Sequence, residues 1–363
     1  MQEQVLQNKT SIKQLQVDAI QLLQQLIETP SFSKEEDKTA ILLENFLLDK
    51  GIPVNRHLNN IWAINKHFDT SKPSILLNSH HDTVKPNKGY TKDPFKANVE
   101  NDKLFGLGSN DAGGALVSLL ATFIHFYDHE NLKYNLVFAA SAEEEISGTN
   151  GIEALLPFLP PISFGIVGEP TLMNLAVAEK GLLVLDCVNY GVAGHAARNE
   201  GNNALYHSLD DINWFKHHQF KKVSDLLGPV KMTVTSIETD NKAHNVVPSA
   251  CKFIVDVRVN ECYTFEEIIS EIKQHVKCEV KPRNLRMRPS SIQLDHPLIL
   301  SGVSLGSKTY GSPTTSDKAL MPFQTLKMGP GDSARSHTAD EFIFIEEIEE
   351  GIELYIKLLE KIL

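Results

Sequence analysis

The chain is poor in cysteine. It has four (Cys187, Cys251, Cys262, Cys278) in 363 residues, with no CxxC and no zinc-finger spacing. That pattern excludes a disulfide scaffold and a thiolate metal site, and it suits buried or half-buried thiols in a reducing compartment. No apolar run approaches the ~18 residues of a membrane span, so no membrane partner is expected. Basic residues are also scarce: 35 Lys and Arg against 46 Asp and Glu leave a net charge of −11. Phosphate binding needs a basic surface, so nucleic acid is excluded as the expected partner. The opening stretch MQEQVLQNKTSIKQ lacks the apolar segment of a signal peptide, which points to a cytoplasmic protein.

What is present fits a soluble globular protein, with 42% apolar and 22% charged residues. SIKQLQVDAIQLLQQLIET has helical spacing. Ser33-x-x-Glu36 reads as a capping box opening a second helix through Leu48. Short apolar runs follow at Ser74–Leu77, Asn135–Ala142 and Phe164–Val167. They alternate with amphipathic helices, one of them expected over Asp111–Tyr127. This is the pattern of an α/β catalytic domain with a mixed, mostly parallel sheet flanked by helices. From about Ala178 the texture changes to strands with two helices, an inserted α+β sandwich. Pro282–Pro289 reads as a hinge, and Ile345–Leu363 as a final amphipathic helix. The expected division is residues 1–177 and 288–363 for the discontinuous catalytic domain, and 178–287 for the insertion.

Acidic and imidazole groups follow each expected strand of the outer domain. His80-His81-Asp82 follow SILLNS, and Glu143-Glu144-Glu145 follow NLVFAASA. Glu169 follows FGIVG, while Asp332 and His337 follow FQTLKMG. FGLGSND delivers Asp111. Ligands of open α/β sheets bind outside the carboxyl ends of the strands, so these clusters should converge on one rim. Carboxylate and imidazole without thiolate suit zinc, cobalt or manganese. Crowded, half-buried carboxylates are costly unless cations neutralise them, and two divalent ions would do so.

The motifs SHHDTVKP, FGLGSNDAGGA, SAEEEISG, VGEPT and SHTADE, in this order, resemble the co-catalytic zinc family of acetylornithine deacetylase, succinyl-diaminopimelate desuccinylase, aminoacylase and carboxypeptidase G. The resemblance covers almost the whole chain and implies two divalent metal ions, zinc or alternatively cobalt. His80 and Glu169 would bind the first, Glu145 and His337 the second, and Asp111 would bridge them. Asp82 would orient His80, a task carboxylates perform for ligating imidazoles. Glu144 would be the general base. Gly194-His195-Ala196-Ala197 resembles the family's G-H-S/A motif, whose histidine reaches the other subunit's site and stabilises the oxyanion. Asn245 and Arg258 would bind substrate, Arg258 through a carboxylate. The resemblance therefore implies a homodimer with a lid/dimerisation domain. Two departures stand out: Gly106-Leu107-Gly108 replaces Gly-Arg-Gly, and Asp111-Ala112-Gly113-Gly114 replaces Asp-Met-Lys-Gly. In relatives the peptide after this aspartate is cis, so the same is expected at Asp111–Ala112.

The implied reaction is hydrolysis of an N-acyl amino acid, a small-molecule substrate. GEPT and GPGDSARSHTADEF most resemble acetylornithine deacetylase, which would yield ornithine and acetate in arginine biosynthesis. N-acetyl- or N-succinyl-citrulline, N-succinyl-diaminopimelate and di- or carboxypeptide substrates are alternatives, as is an inactive metal-binding scaffold. The intact Glu144 speaks against the last. Other features read more simply. Glu143 is expected to be structural, and His81 points away from His80. His125 with His129 and His217 with His218 read as surface residues. Arg283, Arg286 and Arg288 read as a solvated hinge, and Gly329-Pro330-Gly331 as a tight loop presenting His337.

Overall fold

The computed structural model describes residues 11–198 and 200–363. The polar opening stretch up to residue 10 therefore lies outside the described residues. No helix among the described residues is long and apolar enough to cross a membrane.

The chain divides into two compact units. The larger runs to Val177 and resumes over Ser291–Tyr310 and Ser316–Leu363; the smaller comprises Ala178–Ser290 and Gly311–Thr315.

In the larger unit the helices used below are α1 (Ile12–Ile27), α2 (Asp37–Asp49), α3 (Gly114–Phe126) and α4 (Ile345–Glu360). The strands used below are β1 (Asn60–Ile64), β2 (Ser74–His80), β3 (Lys103–Phe105), β4 (Asn135–Ser141), β5 (Ile162–Gly168), β6 (Gln324–Met328) and β7 (Phe342–Phe344). Within a nine-stranded sheet, the strands that form the rim and their neighbour run β1-β4-β2-β5-β6. Strand β1 is antiparallel to β4, and the others are parallel. Register aligns His80 with Ser141 and Gly168 with Met328, so four strands end on one rim. Both β2 and β4 are buried along their whole length, which explains the apolar runs Ile75–Leu77 and Leu136–Ala140 within them.

Helix α3 packs against α1, α4 and the sheet. Ten successive residues from Gly114 to Phe123 are buried, as an all-apolar helix requires. The Ser11 hydroxyl caps α1 by accepting the Gln14 N–H at 3.2 Å. In α4 the fully buried Tyr355 hydroxyl donates to Met328 O, tying the last helix to the rim strand.

Two helix starts differ from the sequence expectation. Ser33 and Glu36 do not form a capping box. Helix α2 starts at Asp37 with no side-chain cap bond, because both side chains are engaged elsewhere. The Ser33 hydroxyl donates to Asp82 at 2.6 Å, and the Glu36 carboxylate accepts from Lys34 N and Glu143 N. Nor does a helix begin at Asp111. Ser109–Gly113 is one wide turn, with Asp111 at φ −118° and ψ 99°, and α3 starts at Gly114. The backbone N–H groups of Asn110 and Asp111 bond to the Glu341 carboxylate rather than to a helical carbonyl. Gly108 begins this turn at φ +76°, a left-handed conformation that favours glycine. The Asp111–Ala112 peptide is cis.

The smaller unit is an α+β sandwich. Its antiparallel sheet runs Lys231–Thr239, Ala250–Val259, Gly181–Tyr190, Glu279–Pro282. Alternate residues of Gly181–Tyr190 are buried, so one face meets the core formed with Phe215 and Phe265 from the helices Ala204–His217 and Phe265–His275. The basic stretch after Pro282 is tied along this sheet, since Arg283 N donates to Val184 O and Leu182 N to Met287 O. It is bonded backbone rather than a free solvated hinge.

Candidate metal centre

The rim of the larger unit gathers His80, Asp82, Asp111, Glu144, Glu145, Glu169 and His337. Two groups of ligating atoms form, each within 4.8 Å of one another: His80, Asp111 and Glu169, and Asp111, Glu145 and His337. Asp111 belongs to both. Its Oδ1 lies 3.3 Å from His80 Nε2, and its Oδ2 lies 3.6 Å from His337 Nε2. His337 Nε2 is also 3.0 Å from Glu145 Oε2. Glu144 belongs to neither group, although its Oε2 approaches His80 Nε2 at 4.0 Å.

Local backbone explains how adjacent glutamates diverge. Glu143 adopts φ +53°, which turns the chain sharply after β4. Its buried carboxylate faces back to Asn150, accepting from Nδ2 at 2.9 Å and from N at 3.4 Å. Glu144 and Glu145 then donate their backbone N–H groups to Asp82, at 3.0 and 3.2 Å. Glu143 therefore supports the turn and stands outside both ligand groups.

Asp82 meets His80 chiefly through its backbone. The His80 Nδ1 approaches Asp82 O at 3.0 Å, and the carboxylate Oδ1 only at 3.4 Å. The carboxylate instead collects the glutamate turn and the Ser33 hydroxyl. His81 faces the other way, with Nδ1 on Thr39 Oγ1 and Nε2 on Asn59 O, each at 2.9 Å. Burial pushes its pKa down to about 4, so it stays neutral and structural.

The electrostatics describe a site burdened with negative charge. Burial, reinforced by neighbouring carboxylates, holds Glu144 well above the carboxylate range. Burial also raises Glu145, and it lifts Glu169 to about 8 although the Lys327 ammonium opposes this. His80 is pulled down by burial, but its bonds to Asp111 and Asp82 win and its net shift is well upward. The bond to Glu145 raises His337 to about 9. Oxygen and imidazole donors in this excess of buried carboxylate fit divalent cations, which would neutralise the charge.

Sequence reasoning missed three supports of this site. Glu341, just before β7, accepts three backbone N–H bonds from the Asp111 turn. Asp317, fully enclosed, accepts from Ser141 Oγ at 2.6 Å and Asn78 Nδ2 at 3.0 Å, beneath the His80 and Glu144 strand ends. Burial pushes its pKa up to about 6. Ser33 is the third. Glu341 lies within the motif SHTADE, so its position next to His337 was the available signal. Asp332 belongs to neither ligand group; its carboxylate caps Ser333–Arg335 by accepting Ala334 N. Gly329-Pro330-Gly331 forms the expected loop before His337, and Gly329 O accepts Thr171 N from the Glu169 loop.

His195, Asn245 and Arg258 belong to the smaller unit. His195 pairs with Val246, and Ala196 N donates to Asn245 O at 3.0 Å, so His195 and Asn245 are neighbours. The His195 Nδ1 accepts from Ala197 N at 3.1 Å, which leaves the ring proton on Nε2. Arg258 is engaged bidentately by Asp256, at 2.8 and 3.0 Å. His125 and His129 are half-buried, not surface residues, because both rings pack on Phe126 at the end of α3. His217 is exposed, while His218 stacks on Trp214.

A mostly parallel sheet carrying shared carboxylate and imidazole donors on its carboxyl rim defines a metal-dependent amidohydrolase. The chain belongs to peptidase family M20/M25/M40, whose pattern matches residues 76–361. It is 26% identical over 288 residues to succinyl-diaminopimelate desuccinylase 2 of Ruegeria sp. (strain TM1040), covering 74% of this chain and 73% of that protein. Among solved structures it is similar to an M20 family metallo-carboxypeptidase from Sulfolobus solfataricus (TM-score 0.76, 17% identity, 95% of this chain and 99% of that one). It is also similar to a dinuclear metal-binding M20 peptidase from Bacillus subtilis (TM-score 0.69, 16% identity, 96% and 98%).

Proposed function

We propose that the protein hydrolyses the amide bond of an N-acyl amino acid with two divalent cations, zinc first and cobalt as the alternative. The observation that carries this reading is the sharing of Asp111 between two ligand groups while Glu144, half-buried beside them, belongs to neither. His80, Asp111 and Glu169 would hold one ion, and Asp111, Glu145 and His337 the other. Bound there, such ions supply Lewis acidity to the scissile carbonyl and acidify water.

The rest of the chemistry falls to side chains. Glu144 takes a proton from the attacking water, whose oxygen bonds to the amide carbon. The C–N bond then breaks, with its electron pair leaving on nitrogen, and Glu144 returns the proton to that nitrogen. A carboxylic acid and an amine result, and proton transfer between them leaves a carboxylate and an ammonium. Asp82 fixes the glutamate turn so that Glu144 faces the site. The His195 Nε2–H is suited to donate to the oxyanion, in the site of a second subunit, which makes the enzyme a homodimer whose smaller unit serves as lid and interface. Asn245 and Arg258 bind the substrate; Arg258 must exchange Asp256 for a substrate carboxylate. We place the enzyme in the cytoplasm.

For the substrate we propose N-acetylornithine, released as ornithine and acetate in arginine biosynthesis, on the motifs GEPT and GPGDSARSHTADEF. A second reading, N-succinyl-diaminopimelate, is favoured by the name of the Ruegeria relative. The two differ at both ends: the succinyl group carries a carboxylate that acetyl lacks, and diaminopimelate carries a second carboxylate that ornithine lacks. The test is kcat/KM over N-acetyl and N-succinyl derivatives of ornithine, citrulline and diaminopimelate. N-acetylornithine should rank first; a desuccinylase would instead prefer every succinyl compound to its acetyl counterpart.

A further inference from the structure

We infer that Glu341 is a positioning residue for the shared carboxylate: it clamps the turn that carries Asp111 and thereby sets the affinity of both metal positions. The inference rests on the two-metal reading above.

Three donors converge on this one side chain. Gly108 N bonds to Oε2 at 3.1 Å, while Asn110 N and Asp111 N bond to Oε1 at 2.9 and 2.8 Å. Glu341 is itself 2% exposed, so water does not compete for these bonds. Its place is fixed by strand register. Strand β7 pairs with β3, Phe342 opposite Phe105, and Gly106 N donates to Glu341 O at 3.0 Å. The chain leaving β3 therefore starts beside Glu341 and wraps around its carboxylate before reaching Asp111.

The same two segments are tied again further on. Asn110 Nδ2 donates to Asp332 O and Asp332 N to Asn110 Oδ1, both at 3.0 Å. His337 lies between these ties, on the segment from Asp332 to Glu341. One closed loop of hydrogen bonds thus carries Asp111 and His337 together. Backbone bonds from Gly113 N to Gly108 O and from Gly114 N to Ser109 O close the turn around Asp111, but the Asp111 N–H itself is held by Glu341, and its backbone angles are non-helical.

The chemistry calls for a carboxylate. Glutamine offers one acceptor oxygen, and its amide N–H₂ would face a backbone N–H, donor against donor. Aspartate keeps both acceptors but is one methylene short. Neither substitution touches a candidate ligand atom.

The test titrates metal-free protein with Co²⁺ and follows stoichiometry, affinity and the visible absorption of bound cobalt. Wild type should take up two equivalents. Glu341→Gln should stay folded and bind both about 10–100-fold more weakly, as the loss of a partner behind a metal ligand does. His337→Ala should weaken only one of the two. Glu341→Asp should recover part of the loss, and it decides the matter if the glutamine variant does not fold. Unchanged cobalt affinity and spectrum in a folded Glu341 variant would overturn the inference. A wild type that binds fewer than two equivalents would overturn the two-metal reading, and this inference with it, before any variant is made.

Discussion

The Asp82 carboxylate accepts the backbone N–H of Glu144 at 3.0 Å, closer than it stands to the imidazole of His80 at 3.4 Å. Its second oxygen takes Glu145 N and the Ser33 hydroxyl. One aspartate thereby aligns the histidine strand end with the glutamate turn.

Asp82→Asn should consequently damage more than His80. It replaces an acceptor by an N–H₂ group facing backbone donors. We expect kcat/KM to fall about 10–100-fold, with a lower Tm, because two segments lose their common anchor. Ser33→Ala should move both quantities in the same direction by less. Steady-state kinetics and thermal unfolding check this; wild-type kcat/KM in Asp82→Asn would contradict the anchoring role.

Stability of the metal-free protein should fall as pH rises from about 5 to 9. Glu169 and Glu341 are each raised to about 8, and His337 to about 9. A group raised on folding contributes stability that is complete below its unfolded pKa and is lost as pH climbs through the folded one. For the glutamates the window runs from the ordinary carboxylate range up to about 8, and for the histidine from its ordinary range up to about 9. His337 is half exposed, so solvent screens its share. Divalent cations should remove most of this slope by neutralising the carboxylates. Thermal unfolding across pH, with and without Zn²⁺, reads it directly; a metal-free Tm rising over that range would refute the charge assignment.

Hybrid dimers probe His195. Subunits carrying His195→Ala, mixed with subunits carrying Glu144→Ala, should regain part of the activity that each lacks alone, since one composite site then holds both wild-type residues. Recovery should follow subunit exchange monitored by native mass spectrometry. Exchange without recovery would mean that the site is not shared.

The main architecture was legible because it is written in local pattern. Short apolar runs at Ser74–Leu77 and Asn135–Ala142 pointed to doubly covered strands, and the charged residues after them to one rim. Within the acidic run Glu143–Glu145, the Glu143 carboxylate is turned back to Asn150, while Glu145 stands with Asp111 and His337. What stayed hidden was long-range hydrogen bonding. Ser33 and Glu36 have the spacing of a capping box, yet they serve Asp82 and Glu143 instead, because tertiary partners outbid a local cap. Asp111 looked like the start of a helix, and no local pattern reveals that its N–H belongs to Glu341, far along the chain. Asp317 was invisible for the same reason: burial of a carboxylate is a property of the fold, not of its neighbours in sequence.

The most direct measurement is single-turnover hydrolysis of N-acetylornithine and N-succinyl-diaminopimelate by Glu144→Gln, with metal content determined on the same sample. The expected result is two bound divalent ions and a rate reduced about 10²–10⁴-fold on whichever substrate the wild type cleaves, the range that a general base supplies. A Glu144→Gln enzyme that keeps its metals and turns over within a few-fold of wild type would contradict the assignment of Glu144 as the group that moves the proton.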